Sequence, residues 1–376
     1  MIAVVADDIT GAAEIAGIGF SYGLRVNLTR KLTEVMPDCD MLVVITNTRS
    51  ADVADAVVES KRIGEILYAA GVEHIFKKCD SVLRGHVSAE LRALVGVCGK
   101  SGALLLPANP SLGRKIIGGY YFIDSKPITQ TNFANDPEFP AKSDKVVELL
   151  GGGHYIPVGE NPDFSDSCIN IGDVESEDNL RDYCAKVSSD VLLAGGSSLF
   201  KAYLGQLGCY QRPIPEFSGF GKVGLLLLCG STFMHDTMML QLANNNIPIE
   251  RMPQEVYAGL VEPETWIDNL VGEYSDNGCI AIAIDRSGAG FVPQYADRLK
   301  LTMAKAAERI VIGCGVSNLV VEGGATAYEL ICRMGWCDFH VVSQLSTGVI
   351  TLRPDGDGIP LVTLKPGSYE WPDKVI

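Results

Sequence analysis

The sequence predicts an α/β protein of two domains, the first a parallel sheet flanked by helices and the second also α/β, and three observations predict it. Short apolar runs alternate with stretches of helical periodicity along the chain, the pattern of repeated strand–helix–strand units. At 376 residues the chain is longer than a single hydrophobic core usually grows. The alternation is broken by CYQRPIPEFSGFGK at 209–222, whose prolines and glycines read as a linker. The expected division is therefore 1–212 and 213–376.

Composition narrows the function classes. With 47% hydrophobic and 20% charged residues and 40 glycines, the chain reads as a turn-rich globular enzyme. Its 46 acidic against 31 basic residues give a formal charge of −15. Such a field repels phosphate backbones, so no nucleic-acid partner is expected, and an anionic substrate must be caught by a local basic pocket. The eleven cysteines are scattered without a CxxC pair and read as reduced core residues of a cytoplasmic protein. The apolar N-terminus lacks a basic leader and carries Asp7 and Asp8, unlike a signal peptide. No apolar run approaches a membrane span, and no membrane partner is expected.

Residues 2–6 form a buried strand and 11–21 a helix, with DDITG between them. Asp8 or Thr10 caps that helix. Two adjacent acids beside a strand end repel each other and need a compensating partner, which points to a ligand-facing role beyond capping. A second strand, 41–46, ends in NTRSAD and leads to a helix over 53–70, so Arg49 also lies just past a strand end.

The third strand, 72–76, is followed by KKCDSVLRGH at 77–86, the densest polar segment of the chain. It falls outside the carboxyl end of a strand, where open α/β sheets take their ligands. Lys77, Lys78 and Arg84 are candidates for the basic pocket. Lys78, Asp80, Ser81 and Arg84 together suit an anion and a hydroxyl to be oriented, with Gly85 letting the backbone turn. A solvated loop leading into the next helix, 87–97, is the plainer alternative.

A fourth strand over 103–106 leads to PANPSLGRK at 107–115, where Asn109, Gly113 and Arg114 offer donors. Residues 118–140 have weak periodicity and many turn formers, and read as a long loop or flap with a short strand at 120–123. Residues 191–194 are the last strand before the linker.

The second half opens with a strand at 223–228 and then Gly230, Ser231 and Thr232 at a helix start, which suits phosphate or an ordinary cap. Strands follow at 280–284 and 318–321, separated by a helix over 293–312. After the latter strand comes EGGATAYELICRMG at 322–335. There Gly323 and Gly324 let backbone amides approach an anion at a helix N-terminus, and a tight turn without a ligand is the alternative. Short strands near Val341, Ile350 and Leu361 end in LKPGSYE, with Gly367 and Ser368 in a turn. The one GK[ST] triplet, at 99–101, has Leu94 where a P-loop needs glycine, and Gly219, Gly221 and Gly224 precede a strand where a dinucleotide fingerprint follows one. The histidines have no metal-ligand spacing.

Five motifs in this order, ADDITGA (6–12), KKCDSVLRGH (77–86), LPANPSLGR (106–114), EGGATA (322–327) and LKPGS (364–368), resemble the four-carbon acid sugar kinases over essentially the full chain. The resemblance implies a substrate-binding first domain and a nucleotide-binding second domain. It implies phosphorylation of a tetronate (threonate, erythronate or 3-oxo-tetronate) at its terminal hydroxyl by ATP. It puts Asp8, Arg49 and the Lys78, Asp80, Ser81 and Arg84 segment on the acid sugar, beside the donor Asn109. Ser231, Gly323, Gly324, Ala325, Thr326 and Gly367 fall to ATP. Ala325 stands where many members carry an acid, and LKPGS replaces a lysine, serine, glycine, asparagine run.

Within that implied activity, Arg84 with Arg49 is expected to bind the carboxylate, since a guanidinium pairs with it through two hydrogen bonds. Asp8 orients or deprotonates the hydroxyl, with Asp80 the next candidate, and Lys78 neutralises charge. Mg²⁺ is expected with ATP, held largely by phosphate oxygens and water, with no protein ligand assigned. The expected partners are the sugar acid and ATP, and a homodimer is left open. Two rivals remain: a non-catalytic sensor of a sugar acid and a nucleotide, motivated by the altered glycine turns, and a nicotinamide-dependent dehydrogenase, motivated by the α/β pattern alone.

Overall fold

The structure, a computed structural model, describes residues 1–164, 168–230, 236–284, 292–367, 369, 371 and 375–376. Two compact units divide the chain, Met1–Arg212 and Pro213–Ile376.

In the first unit, β1 (Ile2–Ala6), α1 (Ile9–Ser21), β2 (Val26–Thr29), β3 (Met41–Ile45), α2 (Val53–Ala69), β4 (His74–Lys78), α3 (Val87–Val97) and β5 (Gly102–Leu106) alternate as expected. They are followed by β6 (Arg114–Ile117), β7 (Tyr120–Ile123), β8 (Lys126–Pro127), α4 (Val146–Leu150) and β9 (His154–Ile156). The unit closes with β10 (Ile169–Gly172), α5 (Glu177–Lys186), β11 (Val191–Gly195) and α6 (Ser197–Gln206). Its main sheet runs β2-β3-β1-β4-β11-β5-β10-β9, and every pairing is parallel. Strands such as IAVVA, MLVVI and GALLL are buried at every residue, as a sheet covered by helices on both faces requires.

Register decides where the polar turns emerge. Ala6 stands opposite Ile45 and Lys78, Lys78 opposite Gly195, and Gly195 opposite Leu106. These strands therefore stop in line, and the residues that follow them share one edge of the sheet.

Three expectations need correction. The strand expected over 72–76 is β4, His74–Lys78, so both lysines belong to the strand. The strand expected at 120–123 is β7, but the stretch 118–140 around it is not an open loop: β7 and β8 pair with the preceding β6 in a three-stranded antiparallel sheet. Gly118 and Gly119, at φ 58° and 78°, make the two-residue connection that right-twisted hairpins favour, a signal the count of turn formers concealed. Asp173 anchors it by accepting from both glycine amides at 3.0 and 2.9 Å. Finally, β2, β9, β10 and α4 to α6 had no assigned place in the sequence reading.

In the second unit, the elements are β12 (Leu225–Cys229), α7 (Asp236–Asn244), β13 (Ile249–Arg251), α8 (Gln254–Ala258), α9 (Glu264–Asn277) and β14 (Cys279–Ala283). Then come α10 (Ala296–Cys314), β15 (Asn318–Glu322), α11 (Gly324–Arg333), β16 (Asp338–Ser346), β17 (Val349–Pro354) and β18 (Leu361–Lys365). The sheet order is β13-β14-β12-β15-β18-β17-β16. It is parallel as far as β18, and β17 pairs antiparallel with both β18 and β16. Leu225, Leu227, Met238, Leu242, Ala281 and Val320 pack as its core. Among the described residues, no helix is long and apolar enough to cross a membrane.

Candidate functional site

The aligned ends of β1, β3 and β4 carry a charge cluster. Asp8, extended at φ −144°, caps α1 by accepting from the Gly11 amide at 2.9 Å. The compensating partner of the two aspartates is Arg49, which follows β3. Its Nε and Nη2 donate to Asp7 Oδ2 and Oδ1 at 2.7 and 2.9 Å. Its Nη1 and Nη2 donate to Asp8 Oδ2 and Oδ1, both at 2.9 Å. One guanidinium thus bridges two carboxylates. Burial, with the charge of Asp7 added, lifts the Asp8 carboxyl above its usual range against the pull of Arg49 and Lys78. An aspartate so shifted is a better proton acceptor than a solvated one.

Asp80, two residues beyond β4, lies 3.8 Å from Arg49 Nη1. It is gripped by Arg84, whose Nε and Nη2 donate to Asp80 Oδ2 and Oδ1 at 3.0 and 2.9 Å. The Val82 and Arg84 amides also donate to Oδ2, at 3.2 Å each, which folds 80–84 into a turn. Burial works to raise the Asp80 pKa, but the bonds and charges of Arg84 and Arg49 outweigh it and hold the carboxyl well below the usual carboxylate range. Asp80 is therefore an ionised structural anion, and Asp8 is the more basic of the two candidate bases.

Outside that pair, Arg84 Nη1 donates to Asp136 Oδ2 at 3.3 Å. Asp136 lies in the segment after β8, and its Oδ1 accepts from the Glu138 and Phe139 amides at 3.0 and 2.8 Å. The same segment places the Phe133 ring 5.6 Å from the Arg84 guanidinium and 5.9 Å from that of Arg114. Arg114 donates to Ser81 Oγ, and the Tyr121 hydroxyl to Ser81 O. Ser81 thus joins the flap to the 80–84 turn.

The two lysines part company because successive strand residues point to opposite faces. Lys77 is 0% exposed and sits 3.1 Å from Glu90 of α3, so it is no part of an anion pocket. Glu90 in turn accepts from Thr48, next to Arg49. Lys78 faces α1: its Nζ donates to Cys79 O at 3.0 Å and lies 3.6 Å from Glu14. A Cβ on Gly11 would stand 2.8 Å from Asp8 Oδ1 and 3.2 Å from Lys78 Nζ, so glycine leaves room for the ammonium near Asp8.

Asn109 is buried beyond β5. Its Nδ2 donates to Ser197 Oγ at 3.1 Å, and its Oδ1 accepts from Ser111 and Ser198, both at 2.7 Å.

In the second unit, Gly323, at φ 106°, turns the chain from β15 into α11, a conformation that disfavours any side chain. The first amides of that helix, at Gly324, Ala325 and Thr326, precede any intrahelical acceptor, the usual condition for anion binding at a helix N-terminus. Gly323 N donates to Lys365 O at 2.9 Å. Below the turn lies a pair with no clear sequence signal: Glu322 and Lys365, whose side chains are both 0% exposed, meet at 2.9 Å. Lys365 Nζ also donates to Gly367 O at 3.3 Å, and Trp371 Nε1 to Glu322 Oε2 at 3.4 Å. The turn at Gly323 and the turn at Gly367 are thereby tied together. Ser231 lies outside the described residues.

Glu90, Asp136 and the Glu322–Lys365 pair are the participants that sequence reasoning did not assign. Asp136 lay in a segment read as loop, and Glu322 was read only as the lead into a glycine turn.

Comparison with known proteins adds an independent line. Residues 2–162 match a family described as the sugar-binding N-terminal domain. The chain is 27% identical to a 3-oxo-tetronate kinase of Methylobacterium radiotolerans, covering 98% of this chain and 96% of that one. It is 25% identical to a D-threonate kinase of Bordetella bronchiseptica, covering 100% and 96% respectively. Among solved structures, a Haemophilus influenzae protein shares the fold with a TM-score of 0.74 at 19% identity, covering 99% of this chain and 98% of that one.

Proposed function

We propose that this chain, which is matched over nearly its full length by 3-oxo-tetronate and D-threonate kinases at 25 to 27% identity, is a four-carbon acid sugar kinase that phosphorylates the terminal hydroxyl of a tetronate with ATP. The observation that carries the reading is that Asp8 and Arg84 belong to one charge cluster at the aligned ends of β1 and β4, linked through Arg49 and Asp80. Asp8 is a carboxyl whose pKa burial raises, Arg84 an arginine with a terminal nitrogen directed away from its buried partner. In this reading Arg84 takes the carboxylate of the acid, and Asp8 orients the attacking hydroxyl and accepts its proton. Lys78 places positive charge beside Asp8, and Ser81 and Asn109 border the same edge. Arg49 acts chiefly by holding Asp7 and Asp8, because its donors are already engaged.

Phosphoryl transfer asks the protein for alignment and charge neutralisation more than for covalent chemistry. ATP supplies the phosphoryl group. The first amides of α11, with the Gly367 turn and Ser231, are the proposed holders of its phosphates. The donor set fits a polyanion: a glycine turn at positive φ and a helix N-terminus, with the buried Lys365 holding the second turn in place through Gly367 O. Mg²⁺ would be carried mainly by phosphate oxygens and water. The test is ADP release on mixing the protein with ATP, Mg²⁺ and each of the threonate and erythronate stereoisomers and 3-oxo-tetronates. Turnover of one of these acids is expected. Tight binding of an acid and of ATP without any ADP release would favour a non-catalytic sensor instead.

A further inference from the structure

We propose that Asp136 sets the enzyme's affinity for acids by occupying, in the absence of substrate, the face of Arg84 that the substrate carboxylate takes. The inference rests on the proposed role of Arg84. The guanidinium has two carboxylate partners of unequal standing. Asp80 receives Nε and Nη2 in a paired arrangement at 3.0 and 2.9 Å, reinforced by two backbone amides to the same group. Asp136 receives Nη1 alone, through one longer bond of 3.3 Å. The paired contact fixes the arginine, and the single contact is the exchangeable one.

Chemistry and placement make Asp136 a stand-in for the substrate's acid. It presents a carboxylate oxygen to the only terminal nitrogen of Arg84 that Asp80 leaves free. It also belongs to the segment after β8, which is separate in sequence from the 80–84 turn. Its other oxygen is held by the Glu138 and Phe139 amides, so the carboxylate is presented by its own tight turn. An incoming carboxylate must break one ion pair to form another, and Asp136 thereby lowers the affinity for acids specifically. A neutral polyol makes no such exchange.

Asp136→Asn tests this, because the amide oxygen can still accept from Glu138 and Phe139 while the charge facing Arg84 is removed. Binding of D-threonate, D-erythronate and the matching tetritols to the full chain is measured by calorimetry without ATP, with thermal unfolding as a control for folding. Asp136→Ser, which keeps a hydroxyl acceptor for the turn, serves if the first variant unfolds. Acid binding is expected to tighten by roughly twofold to fivefold, the effect of removing a partly exposed competing ion pair, with tetritol binding unchanged. Weaker acid binding would mean that Asp136 orients Arg84 for substrate, and equal tightening of acid and tetritol would mean that it only restrains the flap; either overturns the inference. If the unaltered protein binds no sugar acid at all, the reading of the site falls first and this inference with it.

Discussion

Arg49 donates to both oxygens of Asp8 at 2.9 Å while also bridging Asp7. The carboxylate proposed as the base is therefore clamped in position before any substrate arrives, by a residue 41 positions away in sequence.

That clamp makes two expectations for Asp8. Asp8→Asn should lower turnover by roughly two to four orders of magnitude, the usual worth of a general base, with the fold retained. In the unaltered protein the base form is the active one, so kcat/KM should fall as pH falls through the Asp8 pKa. Burial raises that pKa, so the midpoint should lie above the ordinary aspartate value of about 3.9. Arg49→Met removes a charge that lowers the Asp8 pKa and should move the midpoint to still higher pH. A rate that stays flat down to about pH 4 would take the base role away from Asp8.

Arg84→Ala should weaken tetronate affinity by roughly one to two orders of magnitude, since a charge-assisted hydrogen bond is worth about 1.5 to 3 kcal/mol. ATP affinity should change little. A tetritol should bind the unaltered protein poorly and lose little more in the variant, and that difference isolates the contact with the acid. Equal losses for acid and tetritol would instead give Arg84 the role of merely holding the 80–84 turn through Asp80.

Gly324→Val should weaken ATP binding and spare tetronate binding, both read by calorimetry. Its side chain would crowd the first amides of α11, where backbone must approach phosphate. Parallel loss of both ligands would point to a folding defect.

Lys365→Met should destabilise the protein by about 3 to 5 kcal/mol, because it leaves Glu322 charged in a wholly buried place. Replacing both partners, in Glu322→Met with Lys365→Met, should cost clearly less than the sum of the single changes, since neither charge is then left without its partner. Urea denaturation of the four proteins measures the coupling. Additive losses would mean that the two groups do not depend on each other.

Local chemistry is what the sequence carries well. The apolar runs at Ile2–Ala6 and Met41–Ile45, the helix over Val87–Val97 and the polar segments that follow the strands were all legible. Each depends on residues within a few positions of one another. The Gly118–Gly119 hairpin was also local, and was missed because its turn residues were counted as loop.

Partnership across strands was not legible, because it is decided by register. Two aspartates needed a cation, but only the alignment of Ala6 with Ile45 brings Arg49 to them. The adjacent lysines looked like one basic patch, yet the strand's alternation buries Lys77 against Glu90 and leaves Lys78 near Asp8. Glu322 and Lys365 meet because β15 and β18 pair residue for residue, and Asp136 reaches Arg84 across 52 positions of chain. Charge identity is written in the sequence, but which charges neutralise one another depends on distances that only the packed sheet supplies, since electrostatic attraction and desolvation both vary steeply over a few ångströms.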